Sequence, residues 1–80
     1  MTEQHSFTAL QLAILRVLWE RGEATVIEIW EALHDERGLA QTTLATMLSR
    51  LEKRGAVSHR TDARQYIYRA LVTEDAARHS

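Results

Sequence analysis

Thr42, Thr46, Ser49, Arg50 and Lys53 are spaced so that small hydroxyls, followed by two long cations, line one side of a helix. Side chains of these types break no bonds by themselves; they make hydrogen bonds and ion pairs with a polar, anionic surface. Small polar groups near a helix N-terminus approach base edges closely, while cations one and two turns further along reach phosphates on the groove wall. The expected chemistry is contact with a nucleic acid. The same stretch, Leu39 to Gly55, carries Leu44, Met47, Leu48 and Leu51 at i, i+3, i+4 and i+7, which at ~100° per residue makes a narrow apolar stripe that must be buried. A helix over 41–54 is therefore read as core on one side and contact surface on the other.

Other chemistries find little support in the residues. The chain has no cysteine, which excludes disulfides, thiolate metal sites and a cysteine nucleophile. No nucleophile stands with a neighbouring base and no glycine-rich phosphate loop is present, so neither an enzyme nor a cofactor is expected. His5, His34, His59 and His79 are too scattered to suggest a metal cluster and read as surface or turn residues. Glu28 and Glu31 resemble a carboxylate pair, but a capping role accounts for the first and a solvated face for the second. Trp19 and Trp30 continue helical apolar stripes, which makes them core residues rather than stacking platforms.

Eighty residues make one small domain, and a domain of that size buries only about 60% of its unfolded surface. That leaves no room for a catalytic cleft and a second domain. No apolar run approaches the ~18 residues that span a bilayer, and MTEQHSFT has neither a basic start nor an apolar core segment. A soluble, cytoplasmic protein without membrane contact is expected. The net charge of -1 argues at first sight against a polyanion, yet its distribution is uneven. Residues 1–40 hold three basic and seven acidic side chains, whereas residues 41–69 hold six basic and two acidic ones. A merely solvated surface of mixed charge is the alternative reading of that split.

The elements that must position the polar face follow in order. Residues 1–7 have no periodicity and read as a disordered lead-in. Thr8 and Gln11 form a capping box, after which Leu10, Ala13, Ile14, Val17 and Leu18, broadened by Leu12, Leu15 and Trp19, supply the buried side of a first helix that Gly22 ends. Glu23-Ala24 is at most a very short extended segment. Thr25 and Glu28 make a second capping box, and Val26, Ile29, Trp30 and Leu33 give a helix of about two to three turns. The polar run His34 to Gly38 reads as helix end and turn. Leu39 and Leu44 have hydrophobic-staple spacing, although Ala40 is a poor cap for the third helix. After Gly55, Val57–Arg60 and Gln65–Leu71 alternate in polarity like strands, which predicts a hairpin over 56–71 with a connection of about four residues, Thr61 to Arg64. Thr73, Glu74 and Asp75 read as the start of a further helix over 73–80, truncated at Ser80.

Three helices and a hairpin in this order are mainly α with a small β-hairpin, the arrangement of a winged helix-turn-helix over residues 8–72. The segments LQLAILRVLWERGEATVIEIWEAL, GLAQTTLATMLSRLEKRGAV and ARQYIYRALV together resemble the DNA-binding domain of the BlaI/MecI/CopY (penicillinase repressor) family of bacterial repressors. Leu18-Trp19, the run Gly22 to Val26, Thr43, Met47-Leu48, the run Arg50 to Lys53 and Tyr68 carry the likeness. The resemblance implies a repressor that covers a palindromic operator as a homodimer in the full-length chain. In the best-known members it controls β-lactamase or penicillin-binding-protein genes, in others copper homeostasis. It places Thr42, Thr43, Thr46 and Arg50 at operator-facing positions and Arg64 at the basic position of the wing. Gln41 departs from the aromatic that members often carry there, and Ala45 is smaller than the residue some members use. The family's C-terminal dimerisation region, with its cleavage site or cysteine ligands, is not among these residues, so an upstream sensor or protease stays unidentified.

The expected partner is a double-stranded DNA operator, with Gln41, Thr42, Thr43 and Thr46 near bases and Arg50, Lys53, Arg54, Arg60 and Arg64 mostly on phosphates. The alternative is a winged helix used for protein–protein contact without DNA binding, which would show an exposed apolar patch in place of the polar face.

Overall fold

The computed structural model describes residues 7–78, in the order α1 (Ala9–Arg21), β1 (Ala24–Thr25), α2 (Val26–Arg37), α3 (Gln41–Lys53), β2 (Val57–Asp62), β3 (Gln65–Ala70) and α4 (Glu74–Arg78). Residues 1–6 of the lead-in, together with His5 and His79, lie outside the described residues. Phe7, which the sequence groups with that lead-in, is half-buried against the core.

Both capping boxes form as read. Thr8 Oγ1 accepts from the Gln11 N–H at 3.1 Å, and the Thr8 N–H donates to Gln11 Oε1 at 3.0 Å. Thr25 and Glu28 repeat the exchange at 3.1 and 2.9 Å. Each box satisfies two backbone donors that a helix start would otherwise leave open. Helix α2 is longer than the sequence suggests: His34 to Arg37 stay helical, and the end comes only at Gly38, whose N–H donates to the His34 carbonyl. The polar run was solvated helix surface rather than turn, because polarity alone does not break a helix.

Ile14, Leu15, Leu18, Ile29, Leu44, Leu48, Leu51 and Val57 are all but fully buried in one cluster, with Val17, Leu33, Ala24, Ala56 and Tyr68 around them. Both tryptophans pack against this cluster and donate their indole N–H groups, Trp19 to the Val72 carbonyl at 2.9 Å and Trp30 to the Leu39 carbonyl at 2.6 Å. Trp30 therefore ties the helix it belongs to onto the turn that leads into α3.

The hairpin departs from the sequence reading in a specific way. Strand β2 continues to Asp62, opposite Gln65, so the turn is only Ala63-Arg64 and not the longer Thr61–Arg64 connection. Ala63 and Arg64 have φ of 51° and 70°, and positive φ at both central residues is the pattern of the two-residue type I′ turn. That geometry is normally announced by Asn-Gly, which this chain lacks. Strand β3 lies between β2 and the two-residue β1, with Ala24 opposite Tyr68 and Thr25 opposite Ile67, completing a three-stranded antiparallel sheet. The short extended segment thus sits one residue later than read, and Thr25 serves as both strand end and helix cap. Thr73 Oγ1 accepts from the Ala76 N–H at 3.0 Å, and Ala77 is buried.

An L-residue in the left-handed region costs roughly 1–2 kcal/mol, less for Asn. Ala63→Asn is expected to raise the unfolding free energy by about 0.5–1 kcal/mol, read as a higher urea midpoint at unchanged slope; an equal or lower midpoint would contradict the turn geometry.

Candidate nucleic-acid interface

The rotation of α3 about its axis is fixed by Leu44, Leu48 and Leu51, each 0% exposed. With that side turned into the core, Gln41, Thr42, Thr43, Ala45, Thr46, Ser49, Arg50 and Lys53 are exposed. A shallow depression on this outer side is lined by Ala45, Thr46, Ser49, Arg50 and Lys53. The helix starts without help: Ala40 makes no side-chain cap, so the first-turn N–H groups beside Gln41, Thr42 and Thr43 have no partner within the helix. Thr46 Oγ1 donates to the Thr42 carbonyl at 3.1 Å, within its own helix.

The end of α3 determines where the wing goes. The helix closes one residue before the expected 54, with Arg54 as its cap. The Gly55 N–H donates to the Glu52 carbonyl at 3.0 Å and the Ala56 N–H to the Leu51 carbonyl at 2.9 Å, the two bonds of a Schellman motif. Gly55 has φ of 79°, a conformation glycine adopts without a Cβ penalty. The chain therefore turns sharply from helix into β2, with Ala56 and Leu51 both buried at the corner.

A second link joins helix and wing through side chains. His59 on β2 places Nδ1 2.8 and 3.0 Å from the two carboxylate oxygens of Glu52 on α3. Its ring stacks on Tyr66 at 4.1 Å between centroids and tilts against Tyr68 at 5.3 Å. Burial, then the Glu52 carboxylate, push the Tyr68 phenol above its ordinary range. Sequence reading placed His59 at the surface and left Glu52 without a task. The His59–Tyr68 pairing is legible only when the hairpin register is known.

The expected cations separate into two groups. Arg50, Lys53 and Arg64 are exposed and have no ion pair among the described residues, and Arg64 stands in the wing turn. Arg54 instead lies over the Phe7 ring, 4.2 Å from its centroid, and donates to Gln11 Oε1 at 3.3 Å, which fastens the end of α3 to the start of α1. Arg60 donates to Glu23 at 3.0 Å and lies 3.8 Å from Asp62. The Glu23 hydrogen bond and charge raise its already high pKa further. It borders a depression on the outer sheet face with Glu23, Ser58, Ile67 and Arg69. The structure thus brings Gln41, Thr42, Thr43, Thr46, Arg50 and Lys53 onto one helix, sets Arg64 at the wing tip, and gives Arg54 and Arg60 partners within the chain. Ser49 is exposed among these groups, on the polar side of the helix where its spacing put it.

Among the described residues, no three His, Asp or Glu side chains converge to hold a metal ion. No helix among them is long and apolar enough to cross a membrane.

A family model described as Penicillinase repressor matches residues 7–80. The chain belongs to the penicillinase repressor family. It is 42% identical over 67 residues to the transcriptional regulator BlaI of Mycobacterium tuberculosis, covering 82% of this chain and 49% of that protein. It is 28% identical over 64 residues to the penicillinase repressor of Bacillus licheniformis, covering 80% of this chain and 50% of that one. The chain spans about half the length of the curated relatives it matches. The solution structure of the DNA-binding domain of the repressor BlaI is similar in fold, with a TM-score of 0.79 at 26% identity, covering 92% of this chain and 90% of that chain. The penicillinase repressor likeness read from the residues and the winged-helix arrangement are therefore both borne out.

A cation–π contact at an exposed site is worth about 0.5–1 kcal/mol. Arg54→Ala should lower the unfolding free energy by about that much, whereas Arg50→Ala should change it by less than about 0.5 kcal/mol. Urea titrations that give equal losses would contradict the division of the cations.

Proposed function

We propose that this domain binds double-stranded DNA sequence-specifically as the operator-reading part of a transcriptional repressor. The observation that carries the reading is that one buried leucine row leaves Thr42, Thr43, Thr46, Ser49, Arg50 and Lys53 together on the opposite, exposed side of α3. Helix α3 lies in the major groove, with Gln41, Thr42, Thr43 and Thr46 near base edges and Arg50 and Lys53 reaching phosphates. The hairpin lies along the backbone, with Arg64 at its tip as the phosphate contact. Arg54 and Arg60 act mainly within the fold, holding α3 and the sheet at the angle this docking needs. The likeness to a domain described as DNA-binding in the repressor BlaI supports the same reading.

A homodimer on a palindromic operator is the assembly that fits a single small head. Two linked heads gain through effective concentration what one head lacks in contacts. A repressor of this kind works where the chromosome is, in the cytoplasm, without contact with a membrane. A protein–protein module is not favoured, because the large apolar residues exposed among the described residues, Ile27, Tyr66 and Leu71, lie off the outer side of α3.

Arg64→Ala is expected to weaken binding to all duplexes and to reduce the slope of log K against log[salt] by about one unit. A salt titration with an unchanged slope would remove the wing contact from the proposal. Thr43→Ala should alter preference among enriched duplexes while leaving random-sequence binding intact; equal losses on both would contradict its place near a base.

A further inference from the structure

We propose that Thr46 reads a thymine through its methyl group and not through its hydroxyl. The inference rests on the DNA-binding reading above and names what one part of that surface recognises. Thr46 is exposed, yet its hydroxyl donates to the Thr42 carbonyl one turn back, at 3.1 Å. A hydroxyl has a single hydrogen to give, and here the helix's own backbone receives it. The threonine Cβ carries only a hydroxyl, a methyl and a hydrogen. With the oxygen turned back onto the helix, the methyl is the substantial group left to offer a partner. Ala45 beside it is exposed as well, and its side chain is nothing but a methyl. Both border the depression that Ser49, Arg50 and Lys53 complete. The surface there is a small apolar spot rimmed by a hydroxyl and two cations. In the major groove, the C5-methyl of thymine is the feature that matches an apolar spot. The N7 and O6 acceptors of a purine would meet no free hydroxyl hydrogen from Thr46.

The test starts from a duplex enriched by this chain from a random pool, in which each thymine is replaced in turn by uracil. That exchange removes the methyl alone. The wild-type chain should lose about fourfold in affinity at one such position, the worth of roughly one buried methylene-sized group. Thr46→Val keeps a methyl and drops the hydroxyl, and should keep that penalty. Thr46→Ser keeps the hydroxyl and drops the methyl, and should bind the thymine and uracil duplexes alike. A penalty lost in the valine variant and kept in the serine variant overturns the proposal, as does a wild type indifferent to uracil at every position. Salt titration on a random-sequence duplex separates the two levels. If that binding is present and the uracil pattern fails, only the thymine assignment falls. If no duplex is bound at all, the DNA-binding reading falls and takes this inference with it.

Discussion

Burial of the leucine row on α3 is the constraint on which everything else depends. Leu44, Leu48 and Leu51 share one cluster with Ile14, Leu15 and Leu18 of α1, Ile29 of α2 and Val57 and Tyr68 of the sheet. Fully burying a leucine is worth about 1.5–3 kcal/mol, so turning α3 by even a quarter turn would expose a large share of a small domain's stability. The outward-facing residues owe their placement to the core; the Thr46 hydroxyl's bond to the Thr42 carbonyl stays within the helix and does not set its rotation. Thr42, Thr43, Thr46, Arg50 and Lys53 face outward because the leucines cannot, and the surface proposed to fit a groove gains its precision from a core it never touches.

Around that row, several specific polar interactions join elements rather than strengthen one. Trp30 bonds α2 to the segment before α3, Arg54 bonds the end of α3 to the start of α1, and Glu52 with His59 bonds α3 to β2. Trp19 does the same between α1 and the segment after β3. Each bond contributes little to stability, on the order of 1 kcal/mol net. Their shared effect is geometric: they fix the angles between helix and hairpin, which apolar contact alone leaves soft because it has no direction.

The helical part of this arrangement was legible in the residues. Capping boxes are short-range signals with a single geometric meaning, and both formed at Thr8 and Thr25. The 3.6-residue period of the leucines gave the buried side of α3 directly. What escaped was whatever depends on pairing between distant residues. The hairpin register follows from a turn whose residues, Ala63 and Arg64, carry no turn signal, so β2 was read two residues too short at the tip. Without the register, the neighbours of His59 could not be known. Arg54 and Arg60 looked like Arg50 and Lys53 in the sequence, since charge says nothing of whether a partner from another element, Gln11 or Glu23, lies within reach. The polar, exposed side of α3 was written in the chain; the partners of the cations near it were not.

The wing tip sets two demands on one residue. Backbone economy at the second central position of a two-residue hairpin favours glycine, and the sequence places Arg64 there, at φ of 70°. A chain optimised only to stay folded would drift toward a bare tip. Keeping a long cation there means accepting a slightly less durable hairpin, so the trade between the proposed phosphate contact and robustness is settled at a single codon.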